Sequence, residues 1–175
     1  MPARALALLA ALLLALLPPA AGRAQELEGT VVRVVDGDTI HVKLGDRIEK
    51  VRYIGVNTPE LHGAGGPQPG AAEAAALNRA LVLGKRVRLE LDVQPRDRYG
   101  RLLAYVWVGD LMVNAELVRR GYAQVMTVPP NVRYQALFLA LEREARQAGR
   151  GLWAGGLVRM TQRGGPGAAA SPDRR

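Results

Sequence analysis

Cysteine is absent from the 175-residue chain, and serine and histidine are almost absent. Without cysteine the chain forms no disulfide, and no thiolate serves as nucleophile or zinc ligand. The only serine, Ser171, lies in a C-terminal Gly/Ala/Pro stretch, which argues against hydrolysis by a serine triad. His41 and His62 are too few for a histidine-rich metal site. The chemistry that remains belongs to carboxylates, arginines, tyrosines and a cation held by oxygen ligands.

Lysine is also scarce, although the chain is basic. Lysine and arginine together number 24 against 16 acidic residues, a net charge of +8, and the only lysines are Lys43, Lys50 and Lys85. The planar guanidinium of arginine pairs bidentately with phosphate, so the composition favours a nucleic acid as partner. Contact with an anionic surface and a genome biased towards arginine are the alternatives that charge alone leaves open.

The first 24 residues have the pattern of a secretory signal. Arg4 precedes a Leu/Ala run over residues 5–17, and a small-x-Ala site ends at Ala24. The run is shorter than the about 20 apolar residues of a membrane-spanning helix. We therefore expect a signal peptide over residues 1–24, with an uncleaved N-terminal anchor as the alternative. Either one predicts a secreted or extracytoplasmic domain over residues 25–155, followed by a disordered tail over residues 156–175.

Alternating apolar residues predict five strands. In order these are Thr30–Val35, Ile40–Leu44, Ile48–Val56, Arg86–Leu91 and Leu102–Val108. Turn dipeptides at residues 36–37 and 45–46 join the first three strands into a meander.

Three helices are expected between and after these strands. The first covers Ala71–Leu83 and is closed by Gly84, and Asn114 is the expected N-cap of a short second helix. The third opens at Pro130-Asn131, and Trp153 beyond it is expected to pack on the core. The order of elements predicts an α+β fold that is mainly β: a five-stranded antiparallel OB-type barrel with three helices.

Four short motifs concentrate the polar chemistry. They are "DGDT" at residues 36–39, "VRY" at 51–53, "NTPE" at 57–60 and "DRYGR" at 97–101. In this order they resemble the staphylococcal nuclease (thermonuclease) family, over about residues 28–154 and including the closing "GLW". The resemblance implies phosphodiester hydrolysis of DNA, RNA or both, with single strands preferred. A monomer is the default expectation, since no pattern in the sequence bears on oligomeric state.

The resemblance assigns catalytic roles to three residues. Arg52 and Arg101 match the arginines that contact the scissile phosphate, where they stabilise charge that builds up in the transition state. Glu60 matches the proposed general base, which accepts a proton from the attacking water. Pro59 fixes its own φ and restricts the preceding residue, so the direction in which Glu60 leaves the chain is preset.

The resemblance also implies a calcium site, with another divalent cation as the alternative. Asp38 matches a direct ligand, Thr58 matches a backbone-carbonyl ligand, and Asn57 stands where the family has an aspartate. An amide oxygen carries no charge, so we expect Asn57 to weaken cation binding. Asn57 could instead serve only to end the strand. Asp36 could act through water or only form the turn.

The nucleotide pocket departs from the family pattern. Tyr99 matches a tyrosine that lines this pocket, with ordinary packing as the alternative. Family aromatics that face the base are absent from residues 123–130, where Met126 stands instead. A catalytically weak or inactive OB-type module that binds nucleic acid is therefore the main alternative to a nuclease. A structural envelope protein is a further one, but it would leave the converging arginines unexplained.

Overall fold

The computed structural model describes residues 25–62 and 65–156. The expected signal segment and residues 157–175 of the expected tail lie outside the described residues. No helix in the described part of the chain is long and apolar enough to cross a membrane.

The N-terminal meander forms as three antiparallel strands: β1 (Glu26–Val34), β2 (Thr39–Leu44) and β3 (Arg47–Tyr53). Ile40 of β2 faces Val51 of β3, and both are fully buried, so alternate residues of each strand point into the barrel. The outward positions of β2 and β3 are mostly polar or basic, with the exposed Ile48 as an apolar exception.

The third strand ends earlier than its expected limit at Val56. Gly55 adopts a left-handed φ of 77°, which ends β3 at Tyr53. A Cβ on Gly55 would lie 2.7 Å from the ring of Phe138, so no larger residue fits there. After this turn Val56–Asn57 forms a separate two-residue strand, β4, which pairs with β8 (Gln124–Val125).

The barrel is closed by β5 (Arg86–Glu90) and β6 (Leu102–Val108). Strand β5 pairs antiparallel with β1 and with β6, and β6 returns to β3. This last pairing is parallel, with Val51 opposite Leu102, so the expected five-stranded barrel is confirmed but one of its pairings is not antiparallel. A parallel pairing is available here because a long connection, which includes the helix at Ala71–Val82 and strand β5, separates β3 from β6. The short β7 (Leu111–Met112) forms a hairpin with β6.

The three expected helices are present. They are α1 (Ala71–Val82), α2 (Val113–Arg119) and α3 (Gln135–Gln147), and a 3₁₀ helix follows at Gly151–Gly156. The third helix begins later than expected, because the segment around the predicted start at 130–131 forms a turn that is bridged from Val128 to Asn131.

Two expected roles of single residues change. Asn114 does not cap α2, because the N-cap is Met112 and Asn114 is fully buried inside the helix. Its amide accepts the Val106 N–H at 2.9 Å and donates to the Ile54 carbonyl at 2.9 Å, which joins α2 to the barrel. Trp153 is half-buried under the Arg146 guanidinium, 3.8 Å from its ring centroid, while Leu152 beside it is buried.

Candidate active site

A cavity of about 520 Å³ opens where β3, the loop after β5 and the loop before α3 meet. It brings together several of the residues that the sequence singled out, although they come from distant parts of the chain. Those lining the cavity are Arg52, Asn57, Glu60, Tyr99 and Arg101, whereas Asp36, Asp38 and Thr58 lie outside its lining.

Arg52 is held rigidly at the wall of this cavity and is only 7% exposed. Its Nη1 donates to the carbonyls of Tyr53 and Val56 at 3.0 and 2.9 Å, and its Nη2 donates to Asn57 Oδ1 at 3.0 Å. A guanidinium has five N–H groups, so these bonds use three. Within the described residues the other two, on Nε and Nη2, have no protein acceptor, and they remain available for an anion in the cavity.

Asp38 lies behind Arg52, with its Oδ2 3.1 Å from Arg52 Nη1. The same oxygen accepts the backbone N–H of Thr58 at 2.8 Å. Burial raises the pKa of Asp38 from 3.8 to about 6; Arg52 opposes this rise and Asp36 adds to it. The carboxylate is thus a buried negative charge that the neighbouring arginine only partly offsets, and a cation would stabilise it further.

The "DGDT" turn packs directly on the "NTPE" segment. A Cβ on Gly37 would come within 2.6 Å of the Thr58 hydroxyl, so this contact requires glycine. The Asp36 carboxylate accepts the Asp38 N–H at 3.1 Å and forms the turn, which is the second of its two expected roles. The close fit holds Asp38 and Thr58 side by side, although they are far apart in sequence.

Glu60 lies at the exposed edge of the cavity. Its backbone N–H donates to Gln68 Oε1 at 3.0 Å, and its carbonyl accepts the Gln68 N–H at 3.0 Å. These two bonds close the loop that follows Pro59. Within the described residues the Glu60 carboxylate has no hydrogen-bond donor, so it remains accessible to water.

The second arginine is oriented by its own motif. Arg101 Nε donates to Asp97 Oδ2 at 2.7 Å, and Asp97 also accepts the backbone N–H of Arg101 and of Tyr99. Among the described residues no acceptor is bonded to the terminal nitrogens of Arg101, so four N–H groups remain for a ligand. Tyr99 is 68% exposed and packs against the Arg98 guanidinium, which excludes core packing as its role.

The donor atoms at and near Asp38 are oxygens, which is the type of ligand that a hard cation prefers. Asp38 has a carboxylate, Asn57 an amide oxygen and Thr58 a backbone carbonyl, and all three are oxygen ligands of the type that calcium prefers. The charge is low, because the described part of the chain has no group of three or more acidic, histidine or cysteine side chains suited to a metal. Asn57 Oδ1 is also occupied by the bond from Arg52. The donor set therefore fits a weakly held divalent cation.

Several amide side chains that support the site were missed by sequence reasoning. Asn78, fully buried in α1, accepts the Tyr53 hydroxyl at 2.8 Å and donates to the Asp36 carbonyl at 3.0 Å. Asn131 and the backbone of Gln94 exchange two bonds of 2.8 Å, which join the two loops on either side of the cavity. The one sequence signal for Asn78 was a polar amide within an otherwise alanine-rich helix.

Apart from Tyr53 and Tyr99, the described residues that line the cavity include no aromatic side chain. Met126 and Val128 line the cavity and are 41% and 58% exposed. These residues have flexible or small side chains, which contact a planar group less extensively than a ring does.

A small five-stranded barrel with two arginines and a carboxylate around one open cavity defines an OB-type protein with a cavity lined by basic and acidic side chains. Residues 50–155 match the family described as staphylococcal nuclease homologue. The chain is 42% identical over 124 residues to the thermonuclease of Staphylococcus intermedius, covering 70% of this chain and 74% of that protein. It is 39% identical over 131 residues to the thermonuclease of Staphylococcus hyicus, covering 74% and 78%. The endonuclease YncB of Bacillus subtilis (strain 168) is 39% identical over 127 residues, covering 71% and 60%. The chain belongs to the staphylococcal nuclease family.

Proposed function

We propose that this chain is a nuclease that hydrolyses phosphodiester bonds in DNA, RNA or both. The observation that carries the proposal is Arg52, a guanidinium held by three protein acceptors with two N–H groups left for a phosphate. Its relatives that are named thermonucleases and endonucleases support the same reaction class.

The proposed mechanism uses Arg52 and Arg101 on the phosphate. As water attacks, negative charge grows on the phosphoryl oxygens, and fixed donors stabilise that charge more than they stabilise the substrate. Glu60, at the exposed edge of the same cavity, is the proposed general base and accepts the proton of the attacking water. Because Arg52 is already oriented, little reorganisation is needed when substrate binds.

Calcium is the proposed cofactor, with another divalent cation as the alternative. Asp38, Asn57 and the Thr58 carbonyl are the residues that would hold it. When bound, such a cation supplies positive charge next to the phosphate and orients water. The protein's own contribution is a buried carboxylate with a raised pKa, which favours a neighbouring positive charge.

Tyr99 is the proposed contact for the sugar or base of a single-stranded substrate, because its exposed ring lines the cavity. Asp36 contributes as the turn former behind the site. We propose a monomer that is exported through residues 1–24, either cleaved or retained as an anchor. Mass spectrometry of the protein from culture medium and from membranes, read at the N-terminus, separates these two fates.

The test is cleavage of labelled single-stranded DNA and RNA by residues 25–175, with calcium and with a chelator. Glu60→Gln should lower kcat by at least about 10²-fold, because a general base typically contributes that much. Glu73→Gln, which removes an exposed carboxylate on α1, is the matched control and should retain activity. Equal kcat for Glu60→Gln and Glu73→Gln would refute the role of Glu60.

A binding module that does not cleave is the second candidate. The observation that favours it is Asn57, which lacks the charge of a carboxylate and is bonded to Arg52. Tight binding of a single strand, together with no cleavage by the parent under any divalent cation, would establish this alternative.

A further inference from the structure

Three basic side chains lie in one row across the outer face of the barrel, outside the lining of the cavity. Arg33 on β1 is opposite His41 on β2, and His41 is opposite Lys50 on β3. Directly opposed residues on adjacent antiparallel strands have Cβ atoms about 4.5–5.5 Å apart, so the three groups are neighbours. We name Arg33, His41 and Lys50 the cationic rung.

A bulge in β1 gives Arg33 its outward direction. The register shifts between Val31 and Arg33, so Val32 and Arg33 are both exposed while Val31 and Val34 are buried. Strict alternation from Val31 would instead have placed Arg33 inside the barrel. The irregular strand therefore completes the row.

The rung has no carboxylate to balance it. Within the described residues neither Arg33 nor Lys50 makes an ion pair, and Glu49, beside Lys50 in sequence, binds Arg96 instead. The face formed by β1 and β5 differs, because Arg86 there pairs with Glu28. Burial, and then the charges of Arg33 and Lys50, lower the pKa of His41. A lowered pKa leaves His41 mostly uncharged at pH 7, so Arg33 and Lys50 supply the two positive charges of the row.

The row leads towards the candidate active site. Lys50 and Arg52 are two residues apart on the same face of β3, a separation of about 7 Å along the strand. Arg52 enters the cavity, whereas Lys50 is exposed on the surface outside it. In OB-type barrels the face of the second and third strands is one that binds oligonucleotides.

We propose that the cationic rung is an accessory surface that holds the phosphates of a single strand extending beyond the cleaved nucleotide. The inference rests on the proposed nuclease function and deepens it: the favoured substrate is a polynucleotide rather than a dinucleotide. Single-strand binding surfaces combine a basic track for the backbone with an aromatic contact, which Tyr99 supplies here. A nucleic acid is favoured over a lipid surface, because Lys50 lies on the same face of β3 as Arg52, which lines the cavity. The exposed Val32 and Ile48 beside the row make vesicle binding the alternative that the test includes.

The test compares Arg33→Gln/Lys50→Gln with a matched control of equal charge change, Arg79→Gln/Arg143→Gln. Arg79 on α1 and Arg143 on α3 are exposed and, in the part of the chain that the structure describes, form no ion pair. Binding of labelled single strands of about 20 and about three nucleotides is measured by fluorescence anisotropy in chelator, across a range of salt concentrations. KM and kcat follow in calcium.

The rung variant should bind the long strand about tenfold more weakly than the control variant does. The slope of the logarithm of its binding constant against the logarithm of the salt concentration should be smaller in magnitude by about 1.4, because two phosphate contacts are lost. Binding of the short strand and kcat should match those of the control. Arg33→Lys/Lys50→Arg, which keeps both charges, should restore long-strand binding. Circular dichroism of each variant shows whether the barrel is intact, and the charge-preserving pair separates loss of charge from loss of structure.

Equal long-strand binding by the rung variant and the control overturns the inference while leaving cleavage by the parent unaffected. A rung variant that loses binding to phosphatidylserine/phosphatidylcholine vesicles but not to the long strand overturns it in favour of a membrane surface. If the parent cleaves nothing and the rung variant still loses long-strand binding, the nuclease proposal fails and the accessory surface stands.

Discussion

Arg52→Lys separates the charge of Arg52 from its geometry. Lysine keeps the positive charge, but its ammonium has three donors where the guanidinium has five. In the parent, three N–H groups bind the carbonyls of Tyr53 and Val56 and the amide of Asn57, and two remain for the phosphate. A lysine that satisfies the three protein acceptors has no donor left for substrate.

The expected loss follows from this count. Removing one fixed transition-state donor costs about 10²–10³-fold in kcat, so losing both predicts a fall of at least about 10³-fold, or about 4 kcal/mol. If the ammonium instead turns to the substrate, buried carbonyls lose their donors at about 1–3 kcal/mol of folding stability. Asp38, 3.1 Å from Arg52, would then keep a less well placed counter-charge.

The assay is steady-state cleavage of single-stranded DNA together with urea unfolding of the same preparations. Arg86→Lys is the matched control, because the Arg86 side chain lies on an exposed face and, among the described residues, bonds only to Glu28. It should leave both quantities unchanged. A kcat for Arg52→Lys within about threefold of the parent, at unchanged stability, would refute the donor count, because charge alone would then suffice.

Three further predictions follow from the same site. Asn57→Asp should bind calcium about tenfold more tightly in calorimetric titration, since it adds a ligand charge; equal affinities would contradict this. Gly37→Ala should destabilise the fold by about 1–3 kcal/mol in urea unfolding, because its Cβ would lie 2.6 Å from the Thr58 hydroxyl. Gly45→Ala is the comparison, because Gly45 has a left-handed φ but no atom within 4 Å of the added Cβ, so it reports backbone strain without a clash. Because the pKa of Asp38 is raised from 3.8 to about 6, the folded state holds its proton more tightly, and the associated stability is present at pH 4 and lost as the pH rises to about 6.5. Asp38→Asn cannot ionise, so in chelator its stability relative to the parent should rise by about 2 kcal/mol between these pH values; a constant difference would show that the Asp38 pKa is ordinary.

The strands and helices could be predicted because one buried face makes apolar residues recur at a fixed spacing, every second residue on a strand and every three to four residues on a helix. All five barrel strands and all three helices are confirmed, and the residues of "VRY", "NTPE" and "DRYGR" that were expected to face substrate do line one cavity. The break at Gly55 could not be predicted, because it depends on the ring of Phe138 from α3. The same holds for Asn114, which looks like a helix cap in sequence. In the fold its side chain, on α2, accepts the Val106 N–H and donates to the Ile54 carbonyl.

The sequence by itself excluded thiol chemistry and argued against a serine triad, since the chain has no cysteine and one serine, and its four ordered motifs indicated the family. It also determined part of the local geometry of the loop at Glu60, because Pro59 fixes its own φ and restricts the preceding residue wherever it stands. Only the tertiary structure decided which charges meet. Asp38 became a buried partner of Arg52, and a bulge turned Arg33 outward beside His41, because both outcomes depend on strand register and closure of the barrel. These contacts join residues that are distant along the chain, and no local pattern encodes the distance between them.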